Sequence, residues 1–257
     1  MGKIKLRIIN KGFNYSQDGP GNRLVYHLAG CNMTCPWCSN PEGMNPDGVY
    51  MLEKNGTKHL SYKEVDADEM IAEACSAVPI LIDGGGVTFS GGEPTLQFEA
   101  LSFMLKALHE HSIHTAIETN GTNPRLRELV PNLNLLIVDF KHPDSEEHRK
   151  YTGLGNEFII ENLRDISKMG IPMWIRTPLI HGVNTSGQCR EAFIRTYTTG
   201  FDLRQVSFEL LSYHEFGVQK WEKCGKEYTV QDGYVTPETV KKFEESYRMA
   251  GLTVIHT

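Results

Sequence analysis

A basic excess of the kind a general nucleic-acid binder carries is missing from this 257-residue chain, whose formal net charge is −6 and whose pI is about 5.9. Long apolar runs are missing as well. The opening stretch, MGKIKLRIINKGFNYSQDGP, alternates charged and apolar positions, so neither a signal peptide nor a membrane anchor is expected. Internal repeats, low-complexity tracts and dividing linkers are absent. The chain therefore reads as a single domain over residues 1–257, expected in the cytoplasm. That reducing compartment argues against disulfides for its six cysteines, which read instead as free thiols or metal ligands.

What is present is a concentrated cysteine loop, Gly30-Cys31-Asn32-Met33-Thr34-Cys35-Pro36-Trp37-Cys38-Ser39-Asn40-Pro41. No fourth cysteine stands nearby; the next is Cys75. Thiolate is the ligand that iron–sulfur clusters select, and three thiolates on a four-iron cluster leave one iron open for another molecule. A structural zinc wants four protein ligands in paired spacings, and no second pair follows. Cys75, Cys189 and Cys224 are isolated and read as small buried side chains.

Hydrophobic periodicity outlines the rest. Strands are expected over residues 3–10, 23–28, 87–89, 114–117, 134–138, 172–175, 205–211 and 252–255. Helices are expected over 61–77, opened by a capping box of Ser61 and Glu64, and over 96–111, 124–130, 158–169, 186–198 and 237–249. Residues 41–60, rich in Gly, Pro, Asn and Asp, read as loop. Strand followed by helix about six times implies parallel strands with crossover helices. That is too few units for a closed eight-stranded barrel, so a partial, open (β/α)6 barrel is expected, with its core over about residues 22–215. A doubly wound open sheet is the rival. The cysteine loop, Gly91-Gly92-Glu93, Glu118-Thr119-Asn120, Asp139-Phe140-Lys141, Arg176 and His214 each follow a predicted strand. They should gather at the strands' C-terminal ends, where such barrels build active sites.

The spacing Cys-x3-Cys-x2-Cys, with an aromatic residue before the last cysteine, resembles the signature of the radical S-adenosylmethionine (SAM) superfamily. The blocks DGPGNR (18–23), GGGVTFSGGEPTLQ (84–97), HTAIETNG (114–121), LLIVDFK (135–141), WIRTPLI (174–180) and LLSYHEFGVQKWEKCGKEY (210–228) follow in order. Together they resemble the activating enzymes of glycyl radical enzymes, and the C-terminal block is particularly similar to the pyruvate formate-lyase-directed type.

The resemblance implies a radical SAM fold and one 4Fe–4S cluster on Cys31, Cys35 and Cys38. SAM would be bound at the open iron and cleaved by one electron to a 5′-deoxyadenosyl radical. It implies that Trp37 lies beside the adenine, that Gly91, Gly92 and Glu93 receive the SAM amino group, and that Asp139, Phe140, Lys141, Arg176 and His214 contact SAM, with His214 also near the target glycine. Lys141 is a cation suited to the methionine carboxylate. Glu118, Thr119 and Asp139 correspond to a monovalent-cation site for Na or K, with Glu118 departing from the usual Asp. Asp18 corresponds to a contact with the partner's glycine segment. The implied partners are a glycyl radical enzyme, pyruvate formate-lyase foremost, and flavodoxin or ferredoxin as electron donor, with the protein itself a monomer. Residues 39–90 hold only Cys75, so the ferredoxin-like insert of other activating enzymes is absent. The segment Trp37-Cys38-Ser39-Asn40-Pro41-Glu42 nonetheless reads more like the insert-bearing relatives. The alternatives are activation of another glycyl radical enzyme, or radical chemistry on a small molecule or peptide.

Overall fold

The computed structural model describes residues 3–257. Its main sheet contains six parallel strands: β2 (Asn22–Leu28), β6 (Gly86–Gly91), β7 (Thr115–Thr119), β8 (Leu135–Asp139), β9 (Met173–Leu179) and β10 (Val206–Ser212). Each neighbouring pair among them is in parallel register. A short strand β11 (Thr253–Val254) extends the sheet beyond β10, again in parallel. At the other margin β1 (Lys5–Tyr15) runs antiparallel to β2 and to β5 (Lys63–Asp66). The sheet order is β11-β10-β9-β8-β7-β6-β2-β1-β5, so β2 and β10 do not pair. The architecture is the partial, open (β/α)6 barrel rather than a doubly wound sheet.

The parallel strands are buried on both faces, as the near-continuous run Leu135-Leu136-Ile137-Val138 shows. Their outward faces meet a layer of helices, among them α1 (Ala67–Ala77), α2 (Phe98–Glu110), α3 (Ser145–Thr152), α4 (Glu157–Ser167), α5 (Gly187–Tyr197) and α7 (Pro237–Met249), while the short α6 (Val218–Lys223) packs on the cysteine loop. On α2, Leu101, Met104, Leu105 and Leu108 recur at helical spacing and are fully buried. Each contributes roughly 1.5–3 kcal/mol on leaving water. Inside the barrel a small apolar layer of Ala116, Leu135 and Ile137 packs with Trp174 and is separate from the main core. No described helix is long and apolar enough to cross a membrane.

Three local expectations are corrected. The Ser61–Glu64 capping box does not open a helix, because Lys63–Asp66 pairs with Lys5–Ile8 as β5 and α1 begins at Ala67. Residues 41–60 are not only loop: they hold a 3-10 turn over Pro41–Gly43 and a whole hairpin, β3 (Tyr50–Leu52) paired with β4 (Lys58–Leu60). Arg176 lies in the middle of β9 rather than at its end.

Two segments outside the parallel strands bond to side chains inside the barrel. The Gln17 carbonyl accepts a hydrogen bond from Arg176 Nη2 at 2.5 Å, and the Asp18 carbonyl accepts one from Thr88 Oγ1 at 2.7 Å. Thr257, the last residue, donates its backbone N–H to Glu209 Oε1 at 2.9 Å.

Candidate active site

A cavity of about 270 Å³ opens at the C-terminal ends of the parallel strands. It is lined by Cys31, Cys35, Trp37 and Cys38 from the loop after β2 and by Gly91 and Gly92 at the end of β6. Glu118, Thr119, Asp139, Lys141 and His214 line it as well. Of the expected residues, Glu93, Phe140, Arg176 and Asp18 are not in the lining.

The cysteine loop is braced by backbone contacts. Gly30 N–H donates to the Gly43 carbonyl at 2.8 Å, Cys31 N–H to the Met44 carbonyl at 3.1 Å, and Thr34 N–H to the Thr152 carbonyl at 2.9 Å. The Gly91-Gly92 segment crosses it closely: Gly92 N–H donates to the Leu28 carbonyl at 2.9 Å and Glu93 N–H to the Gly30 carbonyl at 2.6 Å. A Cβ on Gly92 would lie 2.2 Å from the Gly30 oxygen, and Gly91 has φ +115°. Glycine is required here because two backbones touch.

Glu93 is fully buried beneath that crossing. Its Oε1 accepts from Thr95 N–H at 3.0 Å, from Thr95 Oγ1 and from Thr119 Oγ1 at 2.7 Å; its Oε2 accepts from Asn120 N–H at 2.7 Å. Burial raises its pKa against the pull of those four donors. Glu93 ties the end of β6 to the end of β7 rather than facing the cavity.

Lys141 is buried and pairs through Nζ with Asp139 Oδ2 at 2.7 Å. Burial opposes its charge, but the Asp139 carboxylate outweighs it, so its pKa is raised and it is a cation at the cavity wall. The intervening Phe140 points the other way, fully buried edge-on to Phe193 and Tyr197. This is the alternation of a strand end. Arg176, also expected to contact SAM, sits deeper in the barrel, donating through Nη1 to Glu118 Oε1 and through Nε to Glu209 Oε2, each at 2.7 Å. His214 stacks on the exposed ring of Phe216, with centroids 4.3 Å apart, and burial lowers its pKa so that it is neutral.

The three residues expected around a monovalent cation already have protein partners. Glu118 holds Arg176 and accepts from Ser90 Oγ at 2.8 Å, Thr119 Oγ1 donates to Glu93, and Asp139 holds Lys141. Asp18 is buried on the loop before β2, its Oδ2 accepting from Asn14 Nδ2 at 2.5 Å. Asn120, from the expected Glu118-Thr119-Asn120 strand end, also lines the cavity, and among lining residues given no role from the sequence Ser90 and Tyr213 each adjoin a motif residue, an adjacency that was the available signal.

The donor set suits an iron–sulfur cluster. All six cysteines are free, and burial raises the pKa of the loop thiols, to about 12 at Cys35 and about 11 at Cys38. Three buried thiols beside a fixed ammonium gain strongly from bonding to iron as thiolates. Backbone N–H groups already aim at two of the sulfurs, Met33 at Cys31 Sγ and Asn40 at Cys38 Sγ, each at 3.4 Å. No group of three His, Cys, Asp or Glu among the described residues converges on a single ion. A cluster takes each thiolate on a different iron. Trp37, in the cavity wall, has a buried indole N–H without a partner.

The family profile described as the Radical SAM superfamily matches residues 25–187, and the chain belongs to that superfamily. Within it the chain is an activating enzyme. It is 34% identical over 241 residues to a pyruvate formate-lyase-activating enzyme of Staphylococcus epidermidis, covering 90% of this chain and 89% of the relative. It is 32% identical over 233 residues to the protein of the same name from Clostridium pasteurianum, covering 90% and 91%. Among solved structures, a domain of pyruvate-formate lyase-activating enzyme from Bacteroides vulgatus is similar with a TM-score of 0.56 and 28% identity, covering 66% of this chain and 98% of that one. A radical SAM methyltransferase from Sphaerobacter thermophilus, 18% identical, shares the fold with a TM-score of 0.65, covering 95% of this chain and 67% of its own. Membership implies a 4Fe–4S cluster and SAM as cofactors.

Proposed function

We propose that this protein abstracts a hydrogen atom from a backbone glycine of a partner glycyl radical enzyme, with pyruvate formate-lyase as the partner. One observation carries the reading: the three cysteines, Asp139, Lys141 and His214 line one cavity at the same end of the barrel. Cys31, Cys35 and Cys38 would hold the cluster. When bound together, the cluster and SAM supply a one-electron cleavage of the sulfonium and a carbon radical able to take a hydrogen from Cα.

The chain's own residues position and shield. Lys141, kept cationic by Asp139, orients the methionine carboxylate. The edges of Gly91 and Gly92 offer backbone to the amino group, and Trp37 bounds the adenine side. His214, neutral and at the rim, packs against the incoming glycine segment without charging the site. Because β2 and β10 do not pair, and α6 meets the loop after β2 rather than the strand itself, a protein loop can enter from the side. The whole chain acts as one domain with flavodoxin or ferredoxin as donor, as a cytoplasmic monomer.

Anaerobic reconstitution with iron and sulfide, reduction and addition of SAM tests the first half of this reading. The expected product is 5′-deoxyadenosine, lost in Cys35→Ala. Unchanged product from Cys35→Ala would refute the cluster assignment.

A further inference from the structure

The missing hydrogen bonds between β2 and β10 leave a seam in the barrel, and α6 crosses it. This helix follows β10 in the chain yet docks on the cysteine loop that follows β2. Trp221 Nε1–H donates to the Cys38 carbonyl at 2.9 Å. Lys220 Nζ donates to Asn40 Oδ1 at 2.7 Å and pairs with the buried Glu42 at 2.8 Å. Gly217 lies so close that a Cβ there would stand 2.7 Å from both the Cys38 oxygen and Ser39 Cα. Trp221 is itself held edge-on by Tyr228, with centroids 5.7 Å apart.

These contacts fall on either side of one sulfur. Cys38 Sγ accepts the Asn40 N–H at 3.4 Å, so the helix grips both the residue that owns the sulfur and the residue that donates to it. Hydrogen bonds to cluster sulfurs and outer contacts on ligands set how tightly a metal centre is held and at what potential.

We propose that Trp221 and Lys220 are positioning residues: they hold the Cys38–Asn40 turn in the shape that binds the cluster, and join the His214-bearing segment to that turn. The proposal rests on the reading of Cys38 as a cluster ligand. Neither side chain lines the cavity, so both act through the turn.

The test uses the full chain, reconstituted anaerobically, as wild type, Trp221→Phe, Lys220→Met, Lys220→Arg and Lys223→Met. Iron release to a chelator is followed by absorbance, and the reduced cluster is examined by electron paramagnetic resonance. Trp221→Phe and Lys220→Met are expected to release iron about tenfold faster, with shifted g-values. Lys220→Arg, which keeps the charge and donors, is expected to stay near wild type. Lys223 lies on the same helix but pairs with Glu53 at 2.8 Å, so Lys223→Met is expected to match wild type. Thermal unfolding of the metal-free proteins checks the fold, and Lys220→Met decides if Trp221→Phe does not fold. Wild-type release and spectra in folded Trp221→Phe and Lys220→Met overturn the proposal, as does equal acceleration by Lys223→Met. Full iron content in Cys38→Ala would instead sink the cluster reading beneath it.

Discussion

Lys141 shows how one side chain can be set by its neighbours. It is nearly enclosed, and Asp139 at 2.7 Å keeps its charge favourable. Lys141→Met is expected to retain cluster iron but to weaken SAM binding at least tenfold, measured by equilibrium binding to the reconstituted protein; undiminished affinity would remove Lys141 from the site. His148 carries a different consequence. Burial holds its pKa to about 4, its Nδ1–H donates to the Leu154 carbonyl, and its Nε2 has no partner. The unfolded chain takes up this proton nearer pH 6.5, so the contribution to stability is whole above about pH 6.5 and is lost as pH falls through 4. Denaturant unfolding from pH 7 to 4 should therefore show a steeper loss for wild type than for His148→Gln; parallel curves would contradict this. Residue identities near the site were legible in the sequence because motif and strand end coincide. Side-chain direction was not: Phe140 and Glu93 sit inside their motifs yet face away from the cavity, because strand alternation and a ring of four donors decide where they point.

Among elements, the parallel strands were the most legible, since double-sided burial leaves long apolar runs such as 135–138. β5 was not, because Ser61 and Glu64 satisfy a helix-start pattern locally while Lys63–Asp66 gains more by zipping onto β1. α6 escaped for another reason: its six residues bury only Trp221, and its stability comes from docking on the cysteine loop. The junction of β6 with β7 depends on the Glu93 carboxylate. Glu93→Gln turns an amide donor toward one of its donors and is expected to cost about 1–3 kcal/mol in urea unfolding. Arg176→Met leaves Glu118 and Glu209 facing each other without a cation and is expected to cost about 3–5 kcal/mol in the same measurement. A loss below about 1 kcal/mol would mean that this ion cluster does not brace the barrel.

For the molecule as a whole, the open barrel divides its labour along the strand axis. The N-terminal end is covered by residues 16–21, which precede β2, and the C-terminal end holds the thiols, the ammonium and the histidine around one cavity. That layout was readable from the alternation of strands and helices, whereas the seam and its bridging helix depend on contacts between distant residues such as Lys220 and Asn40. The central claim is that the cavity delivers a radical to a glycine of another protein. Electron paramagnetic resonance of the reduced, reconstituted protein mixed anaerobically with SAM and pyruvate formate-lyase tests it most directly. The account predicts the doublet of a glycyl radical on the partner, absent without SAM and absent with Cys35→Ala. SAM cleavage without a doublet on pyruvate formate-lyase would contradict the partner, and its absence on every glycyl radical enzyme tried would contradict the activity.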